Sequence, residues 1–143
     1  MCKIMTPPMY TISARLKKEG IPLFEFLQER FSGIPLSQVE SFFGFTEPCS
    51  LYGGRYYFHR ELSGADINWM YDNNIHFRIP LTNFYVDYPE YKNQKSFLKK
   101  YHRIGNTIII VNESLLPWIR NDFPLIKIEA SAIKNISTIN TIV

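Results

Sequence analysis

A chain of 143 residues, 45% hydrophobic and 20% charged, carries enough apolar side chains for one domain with a buried core. This composition excludes disordered and collagen-like chains, and a net charge of +3 spread along the sequence makes a nucleic-acid partner an unfavoured expectation. Two cysteines cannot build a disulfide framework, and neither a signal peptide nor a run of about 20 apolar residues is found. We therefore expect a cytoplasmic protein without membrane contact.

Residues 1–47 are predicted to form an N-terminal unit, which consists of an arm and two short helices that cover the rest of the protein. Residues 1–11 are interpreted as a loose or extended arm. Apolar side chains recur at helical spacing in 21–31 and again in 35–45, where Gly44 closes the second segment. The remaining residues, 48–143, are predicted to form a second domain built of βα repeats.

This second domain begins with a short predicted strand at 50–53. The spacing of Ser63 and Asp66 matches a capping box, so a helix is expected over 64–73. The alternation of apolar and polar residues in 75–81 predicts a strand.

Further along, helices and strands continue to alternate. Placing Ser114 at the helix N-cap puts Pro117 in the first turn, where no hydrogen bond is lost. The basic run at 99–103 is interpreted as a solvated helix end, and salt-sensitive nucleic-acid binding is the less favoured alternative. The predicted elements are a helix at 90–105, a strand at 106–111, a helix at 115–121, a strand at 125–133 and the start of a further helix at 134–143.

The order of these elements predicts an α/β fold with right-handed crossovers and a parallel sheet of about four βα units. A complete (β/α) barrel has eight units and about 250 residues. Three alternatives stay open: a small open α/β domain, a half (β/α) barrel that pairs with a second copy or a complementary half, or a truncated barrel that stops at Val143. The leading hypothesis among them is an α/β fold whose parallel βα units form an incomplete or half (β/α) barrel, preceded by two short helices.

Ligands of parallel α/β sheets bind at the carboxyl ends of the strands, so residues that follow strands are candidates for binding. Arg55 offers a planar fork for a carboxylate or phosphate, and the aromatic run at 84–91 is expected on a loop over the same edge. Helix capping and turns are the alternative for the polar residues, and an ion pair with a nearby carboxylate is the alternative for Arg55. The candidate binding residues are Gly53, Gly54, Arg55, Thr82, Asn83, Asn112 and Ser131.

Recognisable catalytic and metal-binding motifs are missing. The three histidines and two cysteines show no metal-ligand spacing, so no metal site is predicted. No dinucleotide, phosphate-loop or nucleophile-elbow motif occurs, and Cys49 is interpreted as core packing. The catalytic residues, the cofactor and the existence of an enzymatic activity therefore stay open.

The order of several short motifs resembles a family of bacterial and phage proteins. Cys49 stands before the GGR element at 53–55, a strand ends in Thr82-Asn83, and a segment LLPWIRNDFP leads to a strand ending in Ser131. Over residues 48–135 the chain is similar to the N-terminal half of (β/α) barrels distantly related to the collagenase-like peptidase and tRNA-hydroxylation group.

This resemblance implies a barrel whose strand ends bind substrate, with a second half and further cysteines suited to an iron–sulfur cluster. The sequence departs from that pattern, since its cysteines are Cys2 and Cys49 alone. The leading hypothesis is a barrel-type protein or enzyme fragment that binds a small polar or anionic molecule. The alternative is a non-enzymatic binding or assembly module that pairs through an open sheet edge.

Overall fold

The computed structural model describes residues 7–52 and 60–131. Within them strands and helices alternate along the chain, with a single 3₁₀ turn at Leu36–Gln38. The elements are β1 (Tyr10–Ser13), α1 (Leu23–Arg30), β2 (Val39–Phe43), α2 (Gly64–Asp72), β3 (His76–Leu81), α3 (Tyr88–Asn93), α4 (Lys95–Lys100), β4 (Thr107–Ile110), α5 (Leu115–Asp122) and β5 (Lys127–Ala130).

All five strands belong to one parallel sheet in the sequential order β1-β2-β3-β4-β5. Each connection contains at least one helix, as a parallel pairing requires a crossover. In doubly wound sheets the strand order reverses at one point, but in this sheet it does not. The strands of (β/α) barrels also follow one another in sequence order. The predicted α/β class with parallel βα units is confirmed.

The described chain divides into two compact units. The first holds residues 7–48 and 60–78, and the second holds 49–52 and 79–131. The division predicted from the sequence, 1–47 and 48–143, stays a prediction. Fully buried side chains form the core of each unit: Leu23, Phe42, Leu62, Met70, Ile75 and Phe77 in the first, and Leu51, Tyr52, Ile79, Leu81, Tyr91 and Leu98 in the second.

In the first unit the sheet begins earlier than expected. Residues 10–13 form β1, although residues 1–11 were predicted to be an arm, and β1 pairs in parallel with β2. The hydroxyl oxygens of Thr11 and Ser41 lie 3.0 Å apart across this pair. Ile12 is the one strongly buried side chain of β1. This short strand is therefore stabilised mainly by its pairing with β2.

The second predicted helix, at 35–45, is wrong. Residues 36–38 form the 3₁₀ turn, and the chain then continues as β2 between β1 and β3. Val39, Ser41 and Phe42 are buried, so the strand is covered on both faces and its pattern does not alternate. The apolar residues of 35–45 recur about every three positions, which is also the spacing of one face of a helix, and this led to the wrong prediction.

Helices α1 and α2 confirm the sequence pattern. Pro22 precedes α1 with extended backbone, and α1 ends at Arg30. The capping box of α2 is present, because the Ser63 hydroxyl accepts from the Asp66 N–H (3.1 Å) and the Asp66 carboxylate accepts from the Ser63 N–H (3.0 Å).

The second unit confirms the strands at β3, β4 and β5 but corrects two other elements. The helix predicted at 90–105 is two helices, because Gln94 leaves helical backbone geometry (φ −103°, ψ 7°). The strand predicted at 50–53 is a turn over 49–52, closed by the Tyr52 N–H and the Cys49 carbonyl (3.0 Å), while Gly53 lies outside the described residues.

Helix α5 occupies the predicted segment, with Pro117 in its first turn. The Ser114 hydroxyl makes no capping bond there, which corrects the predicted capping interaction. The helix expected at 134–143 lies outside the described residues. Across the described ranges, none of the helices is long and apolar enough to cross a membrane.

Candidate binding site

Asn83, the second residue after β3, joins two loops of the second unit. Its side-chain Nδ2 donates to the carbonyl oxygen of Ser50 (2.7 Å), and its backbone N–H donates to the carbonyl of Leu51 (3.1 Å). The Oδ1 of the same amide accepts from the Tyr85 N–H (2.9 Å). Asn83 thus holds the 49–52 turn and the chain after β3 at the carboxyl end of this strand.

Asn112, the second residue after β4, holds the same loop from another strand. Its Nδ2 lies 3.2 Å from the carbonyl oxygens of both Phe84 and Val86, and an amide NH₂ has two protons to donate. Its Oδ1 accepts from the Ser114 N–H (3.0 Å) at the start of α5. The loop at 84–86 is therefore fastened to the ends of both β3 and β4.

This fastened loop exposes aromatic side chains. Val86 is buried, whereas 49% of Phe84 and 89% of Tyr85 is accessible to solvent. Exposed aromatic rings on a loop with several hydrogen-bonded anchors are a common way to contact a ligand. The expectation of an aromatic loop over 84–91 is met by Phe84 and Tyr85 alone, because Tyr88 and Tyr91 belong to helix α3 and Tyr91 is buried.

The other predicted binding residues also follow strands. The Ser131 N–H donates to the carbonyl of Ile110 (2.8 Å), which places Ser131 beside the end of β4. The Thr82 N–H donates to the Pro80 carbonyl (3.0 Å) in a tight turn after β3. The GGR element at 53–55 lies outside the described residues, so the roles of Gly53, Gly54 and Arg55 stay predictions.

The structure therefore brings Asn83 and Asn112 together around one loop. Their amide groups bond to the protein's own backbone, which is the structural alternative that the sequence left open for polar residues after strands. Both residues therefore hold this edge of the sheet in place through bonds to the backbone.

Ser50 is a polar residue of this edge that the sequence did not indicate. Its hydroxyl oxygen is buried and has no hydrogen-bond partner within the part of the chain that the structure describes. A serine in a turn usually bonds to nearby backbone, so nothing in the local sequence distinguishes this one. Only the tertiary contacts of the turn reveal it.

A second polar cluster of this unit surrounds Tyr91. The buried Tyr91 hydroxyl donates to Asp122 Oδ2 (2.7 Å), with the Trp118 carbonyl oxygen 3.2 Å away, and Lys95 Nζ lies 3.4 Å from the same carboxylate. Burial, followed by the bond to Asp122, raises the pKa of the Tyr91 phenol well above its ordinary value. The bond from Tyr91 and the nearby Lys95 lower the pKa of the Asp122 carboxyl, outweighing the opposing effect of burial.

Tyr91 also packs against the rings of Tyr88 and Trp118, with centroids 6.1 and 5.4 Å away. A phenol that stays protonated and donates inward is suited to join α3 to α5. This cluster has a structural role.

The first unit contains a buried ion pair that the sequence also did not indicate. Lys17 Nζ lies 3.2 Å from Asp66 Oδ2, and only 2% and 6% of the two side chains is exposed. Asp66 additionally accepts from the backbone N–H groups of Leu23 (2.9 Å) and Ser63 (3.0 Å). One carboxylate thereby fixes the starts of α1 and α2.

Glu61 is a second buried carboxylate of the first unit. Its Oε1 accepts from the Phe45 N–H (2.8 Å), while the Phe45 carbonyl accepts from the N–H groups of Glu61 and Leu62 (2.9 Å each). Gly44 permits this approach, since a Cβ there would lie 3.1 Å from Glu61 Oε1. The chain after β2 is thus bound to the chain before α2.

Among the described residues no group of three or more His, Cys, Asp and Glu side chains is arranged to hold a metal ion. The fold and the strand-end residues define an α/β protein with an all-parallel, sequentially ordered sheet. No protein-family model, curated protein or solved structure matches the chain.

Proposed function

We propose that the carboxyl ends of β3, β4 and β5 bind a small polar or anionic molecule, in a protein built as a half (β/α) barrel. The observation that carries this proposal is the loop at 84–86, which Asn83 and Asn112 fasten to two strand ends while its aromatic rings face solvent. Ordering a loop costs about 1–2 kcal/mol per residue, so loops held in this way commonly serve a binding function. The sequential strand order supports the barrel-type architecture.

In this proposal Arg55 is the anion clamp, and Gly53 and Gly54 let the backbone approach the ligand. Thr82 and Ser131 supply neutral hydrogen-bonding groups at the ends of β3 and β5. Asn83 and Asn112 orient the loop. The reaction, if binding leads to one, is a separate question that these residue types leave open.

The test is a calorimetric titration of the protein with inorganic phosphate and, separately, acetate, at constant ionic strength. Arg55→Ala should weaken binding about 10- to 100-fold, since a hydrogen bond to a charged group contributes about 1.5–3 kcal/mol. Arg120→Ala, which removes an exposed arginine of α5, is the matched control and should bind like the wild type. Equal binding by both variants, with normal folding, would overturn the assignment of Arg55.

Assembly through the sheet edge is the second candidate, and the exposure of β5 favours it. Parallel strands are normally buried on both faces, yet all four residues of β5 are exposed or half-exposed. A second copy or a complementary half-barrel could cover this strand. Sedimentation velocity distinguishes the candidates, because assembly predicts a dimer that Ile128→Lys dissociates, whereas a monomer at all concentrations contradicts it.

A further inference from the structure

Strand β5 lies at one end of the sheet, so its outer side has no neighbouring strand among the described residues. The N–H groups of Lys127 and Ser131 donate to backbone carbonyls at the two ends of the β4 segment (3.1 and 2.8 Å). Backbone groups alternate in direction along a strand, so the N–H and carbonyl of Ile128 point to the outer side. Such an edge is a template for pairing with another strand.

The side chains of β5 carry one charge of each sign. Lys127 Nζ lies 3.3 Å from Glu129 Oε1, so the two side chains share one face of the strand, and 72% and 32% of them is exposed. A charged side chain, lysine above all, commonly prevents pairing at a sheet edge. A glutamate two residues after the lysine changes this effect, because it makes the strand complementary to a second copy of itself in one orientation.

That orientation is antiparallel. With Ile128 opposite Ile128 of a second copy, Lys127 lies opposite Glu129 in both halves of the contact. The two Ile128 residues then exchange two N–H···O bonds, and the charged residues form non-hydrogen-bonded pairs, in which side chains approach most closely. A parallel pair in register would instead place lysine opposite lysine. The strand at the other end of the sheet, β1, has no charged side chain, so the charges of β5 favour another β5.

We propose that β5 pairs with β5 of a second copy as antiparallel strands, related by a two-fold axis between the two Ile128 residues. This inference rests on the assembly candidate of the proposed function and adds the identity of the partner, the orientation and the register. A two-fold contact uses the same surface on both copies and therefore closes at a dimer. Strands of four residues offer less than the roughly 1,200 Å² of a standard interface, so the dimer should be weak and reversible.

Charge reversal tests this pairing by sedimentation equilibrium at low ionic strength, at protein concentrations up to about 1 mM. Lys127→Glu and Glu129→Lys each replace two attractive pairs with two repulsive ones and should weaken the dimer about 10-fold or more. An equimolar mixture of these two variants restores opposite charges across the contact and should form a heterodimer with about the wild-type affinity. Lys99→Glu makes the same change of charge at an exposed position of α4 and, as the matched control, should dimerise like the wild type.

The exposed position of Lys127 makes a loss of folding in these variants unexpected, and melting curves check it. If a charge-reversed variant does not fold, Lys127→Gln takes its place and should weaken the dimer about 2- to 10-fold, since it removes the attraction without adding repulsion. A wild-type dimer that both single variants retain, or a mixture that stays monomeric, would overturn pairing through β5 and leave assembly through another surface. A wild-type monomer at all concentrations would overturn both this pairing and the assembly candidate, whereas the phosphate and acetate titrations decide ligand binding independently.

Discussion

Asp66 forms an ion pair with Lys17 in the interior of the first unit, where both side chains are almost fully buried. The pair joins the chain after β1 to the first turn of α2. Two buried charges recover the cost of leaving water only when their remaining hydrogen bonds are also made. Asp66 meets this condition because it accepts from the N–H groups of Leu23 and Ser63. Substituting Asp66 should therefore destabilise the protein more than substituting Lys17.

Asp66→Ala is expected to lower the free energy of unfolding by about 3–5 kcal/mol, because it leaves a buried lysine without its carboxylate and removes the acceptor of two backbone N–H groups. Lys17→Met keeps the apolar stem and leaves Asp66 with its backbone donors, so about 1–3 kcal/mol is expected. Urea titrations measure both values, with the exposed Glu25→Ala as control. An equal or reversed order of the two losses would contradict the role given to Asp66.

Tyr91→Phe should destabilise the protein by about 1–2 kcal/mol near pH 7, because it removes a hydrogen bond to a partly exposed carboxylate. The pKa of Asp122 is lowered in the folded state, so its contribution is present above the unfolded-state pKa of about 4. It is lost as the pH falls through the lower, folded-state pKa. Denaturation at pH 7 and pH 3 should show a smaller difference at pH 3, and Tyr88→Phe should show no such trend.

How far the sequence predicts the fold depends on how strongly each segment shows its own period. The capping box at Ser63 and Asp66 and the alternation in β3 are local signals, and both elements formed as predicted. β2 is buried on both faces, so its apolar residues carry no period of two, and it was mistaken for a helix. Its identity comes from the strands on either side of it.

The candidate site shows the same limit. The rule that ligands bind at the carboxyl ends of parallel strands selected Asn83 and Asn112 correctly as residues of this edge. Their bonds to the carbonyls of Ser50 and Phe84 depend on segments far apart in the chain. No sequence pattern distinguishes a serine whose hydroxyl is buried without a hydrogen bond from any other serine. Ser50 could therefore be identified only from the structure around it, within the residues that the structure describes.

Asn112→Ala should release the loop at 84–86 and cost about 1–3 kcal/mol, because the variant removes the donor to two backbone carbonyls. Chymotrypsin cleaves after aromatic residues and needs a locally unfolded chain, so cleavage after Phe84 and Tyr85 should accelerate. Asn93→Ala, at an exposed position of α3, is the control. Unchanged cleavage and stability would mean that Asn83 and the backbone hold the loop without Asn112.

Gly44 and Gly33 form a matched pair for testing the close approach of the chain after β2 to Glu61. A Cβ on Gly44 would lie 3.1 Å from both Ala14 Cβ and Glu61 Oε1, whereas one on Gly33 would meet nothing within 4 Å. Gly44→Ala is therefore expected to destabilise the protein by about 1–3 kcal/mol through overpacking. Gly33→Ala should be neutral or stabilise it by about 0.4–1 kcal/mol, because alanine restricts the unfolded chain. Thermal and urea unfolding measure the stability of both variants. If Gly44→Ala is as stable as Gly33→Ala, the Glu61 side chain moves away from the added methyl group at no cost.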